Sequence, residues 1–127
     1  MFPGIRPGLR GERQGIVTGD MVTTHAGGHR GGVLTTPSMI ALMEDVAQEV
    51  TQPYLPADYT TVGFEVSVRH LAPTVLGERI TVIAELLEVD GRKLLFRVDA
   101  TNPKGRIAEG ILRRTIVQLG RLETPTA

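Results

Sequence analysis

The stretch that decides the fold is residues 78–101, ERITVIAELLEVDGRKLLFRVDAT. It contains two runs rich in apolar and β-branched residues, 78–89 and 93–101, which are typical of strands. Asp90-Gly91 lies between them, and this dipeptide strongly favours a tight hairpin turn. The stretch therefore predicts two antiparallel strands joined by a short turn.

Further strands are predicted on both sides of this hairpin. Every second residue of 61–71 is apolar, which predicts a strand with four apolar side chains on one face: Val62, Phe64, Val66 and Val68. Residues 102–105, NPKG, form a turn signal before a last long strand at 106–119. Another strand is expected at 14–24, where Val, Thr, Ile and Met are frequent. The pattern indicates an antiparallel sheet of about five strands.

One helix is expected upstream of these strands, beginning at Thr36-Pro37 with residues 38–50 as its body, in the stretch TTPSMIALMEDVAQEV (35–50). Thr36 suits the N-cap position, and Pro37 suits the first helical position because its missing N–H would be unpaired there anyway. The apolar residues form one broad face, which a single helix must bury against the sheet. The predicted fold class is therefore α+β, with one long helix wrapped by a curved antiparallel sheet.

Three polar residues allow both a structural and a functional interpretation. At about 100° per residue, Glu44 lies at the edge of the apolar helix face, so its carboxylate either extends to water or lies in a cleft. His70 is in phase with the apolar face of its strand and is either a satisfied core residue or a proton carrier. Thr36 is either a simple helix cap or a hydroxyl that stabilises an oxyanion.

Length and composition exclude several classes of function. The 127 residues fit a single domain, 1–127, with an irregular arm at 1–12 and a loose tail at 120–127. The absence of cysteine excludes disulfides, thiol nucleophiles and cysteine metal sites. The balance of 14 basic and 14 acidic residues argues against a nucleic-acid binder and a polybasic membrane patch. With no membrane-spanning run and no signal peptide in the sequence, a cytoplasmic protein is expected.

Metal and phosphate sites have little support in the sequence. His25 and His29 are four residues apart, but the intervening Ala-Gly-Gly disfavours the helix that would align them. Arg113-Arg114 in the last strand either pairs with a phosphate or protects the sheet edge from aggregation. We therefore expect no metal and no cofactor.

Three stretches together resemble hotdog-fold thioesterases of the fluoroacetyl-CoA thioesterase type: residues 35–50 (TTPSMIALMEDVAQEV), 62–100 (VGFEVSVRHLAPTVLGERITVIAELLEVDGRKLLFRVDA) and 108–117 (AEGILRRTIV). That family has a Thr at the helix start, a Glu eight residues later and a His 26 residues after the Glu. The matching residues here are Thr36, Glu44 and His70, with both spacings preserved. The family's glycine before the His matches Gly63, and the arginine of its last strand matches Arg114.

The resemblance implies a hotdog fold and a homodimer whose sheets join edge to edge, with active sites at the subunit interface. It also implies an acyl-CoA substrate that is hydrolysed to a carboxylic acid and free CoA. No aromatic residue lies between Phe2 and Tyr54, so an aromatic lid upstream of the helix has no candidate. A general short-chain acyl group is therefore expected.

The resemblance also implies roles for five residues. Thr36, Glu44 and His70 are then catalytic. Glu44 acts as nucleophile or general base, and His70 activates water or protonates the departing sulfur. Gly63 and Arg114 are then substrate-binding residues, although strict alternation puts Gly63 on the opposite side of its strand from His70.

Two other functions on the same fold are alternatives. A non-catalytic acyl-CoA binding or sensing module would hold the ester without turnover, but it has no need of Glu44 at the edge of an apolar face. A hydratase or dehydratase relies on an Asp/His pair, and no such pair stands at a suitable spacing. The leading prediction is therefore an acyl-CoA thioesterase.

Overall fold

The computed structural model describes residues 1–23 and 31–120, and it contains one long helix against an antiparallel sheet. The elements are β1 (Arg10–Ile16), β2 (Val22–Thr23), β3 (Val33–Leu34), α1 (Thr36–Thr51), β4 (Tyr59–His70), β5 (Arg79–Asp90), β6 (Lys93–Asn102) and β7 (Gly105–Gln118). Short 3-10 turns lie at Gly19–Met21 and Gln52–Tyr54. The predicted α+β class is confirmed.

The main sheet has five strands in the order β1-β5-β6-β7-β4, all antiparallel. Asp90 pairs with Lys93, so Gly91 and Arg92 form the two-residue loop of the predicted hairpin. Gly91 has a φ of +60°, a conformation that glycine adopts at no steric cost. β1 and β4 are the two edges of the sheet. The pair β2 and β3 forms a separate small sheet that the sequence did not predict.

The core lies between α1 and one face of the main sheet. The buried helix residues Met39, Met43, Val46 and Ala47 share one apolar cluster with sheet residues such as Phe96. Each fully buried large side chain contributes about 1.5–3 kcal/mol, so this burial holds the helix in place. Asp45 and Glu49 lie on the exposed face of the helix, as the pattern predicted.

The prediction for the first strand was wrong in its position. The strand expected at 14–24 occupies Arg10–Ile16, where it pairs with β5 from Arg79 to Glu85. The predicted irregular arm therefore ends before residue 10, and Ile5 within it is buried in the core. The local composition did not predict this register because pairing with β5 selects the polar segment as the strand.

β4 contains an irregularity that the alternation pattern did not predict. The pairing with β7 shifts between Gly63 and Glu65, which marks a β-bulge. On one side of the bulge Gly63 pairs with Arg114, and on the other side His70 pairs with Ala108. The bulge moves Gly63 to the same, helix-facing side of the sheet as His70, and the expected opposite placement was wrong.

In the part of the chain that the structure describes, no helix is long and apolar enough to cross a membrane. The candidate metal ligands His25 and His29 lie outside the described residues, as do residues 121–127 of the expected tail.

Candidate active site

The start of α1 is capped by Thr35, and the expected cap Thr36 has a different partner. The Thr35 side chain accepts a hydrogen bond from the Ser38 backbone N–H at 3.2 Å. Thr36 is therefore the first helical residue, followed by Pro37. Because Thr35 provides the cap, the hydroxyl of Thr36 is not needed by the helix.

Thr36 and His70 form a hydrogen-bonded pair within one chain. The distance from Thr36 Oγ1 to His70 Nδ1 is 2.8 Å, which joins the first turn of α1 to the end of β4. His70 Nε2 is covered by protein atoms and has no hydrogen-bond partner among the described residues. Among the described residues, the imidazole therefore makes its hydrogen bond only at Nδ1, with the exposed Thr36 hydroxyl.

This pair lines an open cavity of about 460 Å³, called the histidine cavity below. Its other walls are mostly apolar and include Leu34, Pro37 and Leu71. A hydroxyl backed by an imidazole in apolar surroundings is suited to passing a proton to or from a bound group.

Glu44 belongs to a second group of polar residues, one that holds a buried arginine. Arg114 Nη1 donates to Glu44 Oε2 at 3.3 Å. Two further bonds fix the guanidinium: Nε donates to Thr61 Oγ1 at 2.9 Å, and Nη2 donates to the Thr61 carbonyl at 2.8 Å. The Arg114 side chain is 7% exposed, whereas that of Glu44 is 36% exposed. The arginine is thus a fixed internal group, and the carboxylate reaches the surface of a cleft.

Gly63 lies directly against this ion pair. A Cβ added at Gly63 would stand 2.5 Å from Glu44 Oε2 and 3.4 Å from Arg114 Nη1. Any side chain at this position would therefore displace the carboxylate. Glu44, Gly63 and Arg114 line an open cleft of about 500 Å³, called the glutamate cleft below, together with Gln48 and Thr60 among others.

Burial lowers the pKa of the Arg114 guanidinium below its usual value, while the negative charges of Glu44 and Asp45 oppose that shift. An arginine side chain nevertheless stays protonated under ordinary conditions. Arg114 therefore brings a fixed positive charge beside the Glu44 carboxylate. That charge stabilises any anionic oxygen that forms next to it.

The histidine cavity and the glutamate cleft lie at different places along the same helix and strand. From Thr36 to Glu44 the helix rises about 12 Å at 1.5 Å per residue. From Gly63 to His70 the strand covers six regular steps because of the bulge, which is roughly 20 Å at 3.3 Å per residue. A single chain thus brings Thr36 and His70 together, and separately Glu44, Gly63 and Arg114.

Two residues that this geometry makes prominent were not predicted from the sequence. Thr61 holds Arg114 through both its hydroxyl and its carbonyl, and Thr35 releases Thr36 from the cap. Neither role has a local signal, because one arises from strand pairing and the other from a choice between adjacent threonines. Among the described residues, no group of three or more His, Asp or Glu side chains could hold a metal ion.

Sequence comparisons show the family of this chain. The profile of the fluoroacetyl-CoA-specific thioesterase family matches residues 17–119. The fluoroacetyl-CoA thioesterase of Streptantibioticus cattleyicolor is 36% identical over 87 residues, which are 68% of this chain. The match spans 63% of that relative's length.

Solved structures agree with that match over nearly the whole chain. The fluoroacetyl-CoA thioesterase FlK superposes with a TM-score of 0.84 at 30% identity, covering 96% of this chain and 99% of FlK. A mutant of FlK in complex with fluoroacetate and CoA superposes with a TM-score of 0.85 at 28% identity, covering 94% of this chain and 100% of the mutant chain. A hot-dog-like protein from Thermanaerovibrio acidaminovorans gives 0.84 at 25% identity, covering 94% and 88%. The chain has the hotdog fold and belongs to the fluoroacetyl-CoA-specific thioesterase family.

Proposed function

We propose that this protein is an acyl-CoA thioesterase that hydrolyses short-chain acyl-CoA esters with Thr36, Glu44 and His70. The observation that carries the proposal is the pairing of each candidate catalytic group with a partner suited to its task. The Glu44 carboxylate lies beside the buried cation of Arg114, and the Thr36 hydroxyl is hydrogen-bonded to the His70 imidazole. The relatives named as thioesterases support the same reaction class.

We propose that β4 is the edge through which two copies of the chain associate. Among the described strands, β4 pairs only with β7, so its other edge has unpaired backbone groups. Phe64 and Val66 near its middle are 48% and 44% exposed. The other edge strand, β1, has the charged sequence RGERQGI, which discourages pairing. The exposed apolar edge therefore suits a second copy of this chain.

Such a dimer would combine the histidine cavity of one chain with the glutamate cleft of the other. A two-fold axis near Glu65, in the middle of β4, pairs the two strands antiparallel and brings the partner's His70 opposite Thr60. Thr60 lines the glutamate cleft. This arrangement brings Glu44 of one chain toward the Thr36–His70 pair of the other chain. Within one chain these residues are too far apart to act together.

The chemistry then divides between the two chains. In one route Glu44 attacks the thioester carbonyl, the CoA thiolate leaves, and water then cleaves the anhydride formed on Glu44. In the other route Glu44 takes the proton from an attacking water, and the tetrahedral adduct expels the CoA thiolate. Arg114 stabilises negative charge beside Glu44 in both. Thr36 of the partner subunit donates a hydrogen bond to the thioester, and His70 behind it supplies the proton that the departing thiolate needs. The proton that the attacking water loses replaces the one that His70 gives up. In this mechanism no step needs a cofactor.

The first test of this function is turnover of a panel of acyl-CoA esters, from acetyl-CoA and fluoroacetyl-CoA to hexanoyl-CoA. Release of free CoA is followed with a thiol reagent, which is unambiguous because the chain has no cysteine. We expect turnover in the typical enzyme range of about 1–1000 per second for at least one short ester. Saturable binding of every ester without CoA release would instead identify a non-catalytic binding module.

Replacing Gly63 by alanine is expected to lower kcat by roughly 10–100-fold, because the new methyl group displaces the Glu44 carboxylate. The melting temperature should change little, since the displaced atom ends a flexible side chain and the backbone of Gly63 is not in the left-handed region. Gly15→Ala is the matched control in an edge strand, because its added Cβ meets no atom within 4 Å. Equal activity of Gly63→Ala and Gly15→Ala would contradict the role of Glu44.

A further inference from the structure

A network of three polar side chains lies at the glutamate cleft: Gln48 and Thr60 line the cleft, and Gln52 stands behind them. Gln52 Nε2 donates to the Tyr59 carbonyl at 2.8 Å, so its Oε1 must face the other way. That oxygen accepts hydrogen bonds from Gln48 Nε2 at 2.7 Å and from Thr60 Oγ1 at 2.8 Å. Because a carbonyl can only accept, the network fixes the orientation of both amides.

The fixed orientation leaves one acceptor unused. Gln48 Nε2 is engaged with Gln52 and lies 3.4 Å from Thr60 Oγ1, whereas Gln48 Oε1 receives no hydrogen bond from any described residue. Gln48 lines the cleft and is only partly buried. Its carbonyl oxygen is thus an oriented acceptor that no neighbour satisfies.

Gln48 follows Glu44 by one helical turn on the same side of α1. Residues at this spacing have Cβ atoms about 5–6 Å apart. An acyl group whose carbonyl carbon reacts at Glu44, and whose chain runs along α1 toward Gln48, would have its second and third carbons within reach of the Gln48 side chain.

The balance of polar groups in the cleft favours a donor on the substrate. Three bonds from Arg114 already go to Thr61 and Glu44. The unused groups are acceptors: Gln48 Oε1 and the second Glu44 oxygen. The Asp45 carboxylate, which also lines the cleft, already pairs with Arg13 at 3.7 Å. A substituent that donates a hydrogen bond satisfies an acceptor here, whereas a methyl group leaves it unpaired and a carboxylate is repelled.

We propose that Gln48 Oε1 binds a hydroxyl group on the acyl chain, so that this protein prefers short hydroxyacyl-CoA esters to unsubstituted esters of the same size. This inference rests on the proposed thioesterase function. One neutral hydrogen bond in a partly open cleft corresponds to a preference of roughly 5–10-fold.

The test compares glycolyl-CoA with propionyl-CoA, which differ only by a hydroxyl in place of a methyl group. We expect kcat/KM to favour glycolyl-CoA by roughly 5–10-fold in the wild type. Gln48→Met keeps the size of the side chain but removes the acceptor, so the ratio should fall to about one. Gln14→Met, at an exposed position in β1, should keep the wild-type ratio.

A binding measurement separates this inference from the proposed function. Calorimetry of the Glu44→Gln variant with both esters gives dissociation constants without turnover. Tighter binding of glycolyl-CoA with no hydrolysis by the wild type would overturn the thioesterase proposal and support the subsite. Hydrolysis with equal kcat/KM for both esters, or a preference that Gln48→Met retains, would overturn the subsite.

Discussion

Replacing Glu44 by glutamine is expected to lower kcat for acyl-CoA hydrolysis by at least about a thousandfold. Glutamine has nearly the same size but neither attacks a carbonyl as a carboxylate does nor accepts a proton from water. Its amide oxygen still accepts a hydrogen bond from Arg114, so the buried guanidinium keeps a partner at this position. The substitution therefore removes the chemistry while the packing of the cleft stays in place.

The same substitution elsewhere on the helix is the control for this experiment. Glu49 lies on the exposed face of α1 and pairs with Arg13 of β1. Glu49→Gln should keep wild-type kcat, and an exposed ion pair of this kind contributes at most about 1 kcal/mol to stability. Thermal unfolding of both variants separates a loss of folding from a loss of chemistry. If Glu44→Gln retained more than a tenth of wild-type kcat, Glu44 would have no catalytic role.

The sequence predicted the elements of the fold because their signals are local. Apolar alternation, the Asp90-Gly91 hairpin and the apolar stripe of the helix all act within a few residues. The helix α1 and the four strands β4 to β7 accordingly lie within two residues of their predicted bounds, whereas the short strands β2 and β3 were not predicted. The first strand differed because its position depends on pairing with β5, which is a distant segment of the chain.

The relation between the site residues depended on features without a local signal. The β-bulge after Gly63 moves this residue to the helix-facing side of the sheet, and alternation alone predicts the opposite. Thr35 and Thr36 are equally good caps by residue type, and only the contact with His70 distinguishes them. The network of Gln48, with partners at Gln52 and Thr60, likewise exists only after β4 packs beside α1.

The bulge also connects the fold to the proposed chemistry. In a regular strand, Gly63 would face away from α1 and would not approach the Glu44 carboxylate. With the bulge, Gly63 approaches the carboxylate and the paired residue Arg114 comes beside it. The exposed apolar residues of β4, Phe64 and Val66, come directly after Gly63 in the chain. One irregularity in an edge strand thus assembles the glutamate cleft next to the surface that we propose for dimerisation.

Mixing two inactive variants is expected to restore activity if each site is shared between chains. Glu44→Gln lacks the group of the glutamate cleft, and His70→Asn lacks the proton carrier of the histidine cavity. In a mixed dimer, Glu44 of the His70→Asn chain meets the intact His70 of the other chain, so one of two sites is complete. Random exchange of subunits gives half mixed dimers, and the recovered activity should approach about a quarter of wild type.

The recovery depends on which half of the site each variant lacks. Thr36→Val and His70→Asn both affect the histidine cavity, so mixing them should give no more than the mean of their separate activities. Sedimentation of the wild type should give the mass of a dimer of the 13.7 kDa chain. Absence of recovery from mixed dimers of Glu44→Gln and His70→Asn would overturn the shared site. The three residues could then not form one catalytic group, because within a single chain the helix and strand keep Glu44 about 12 Å or more from Thr36 and His70.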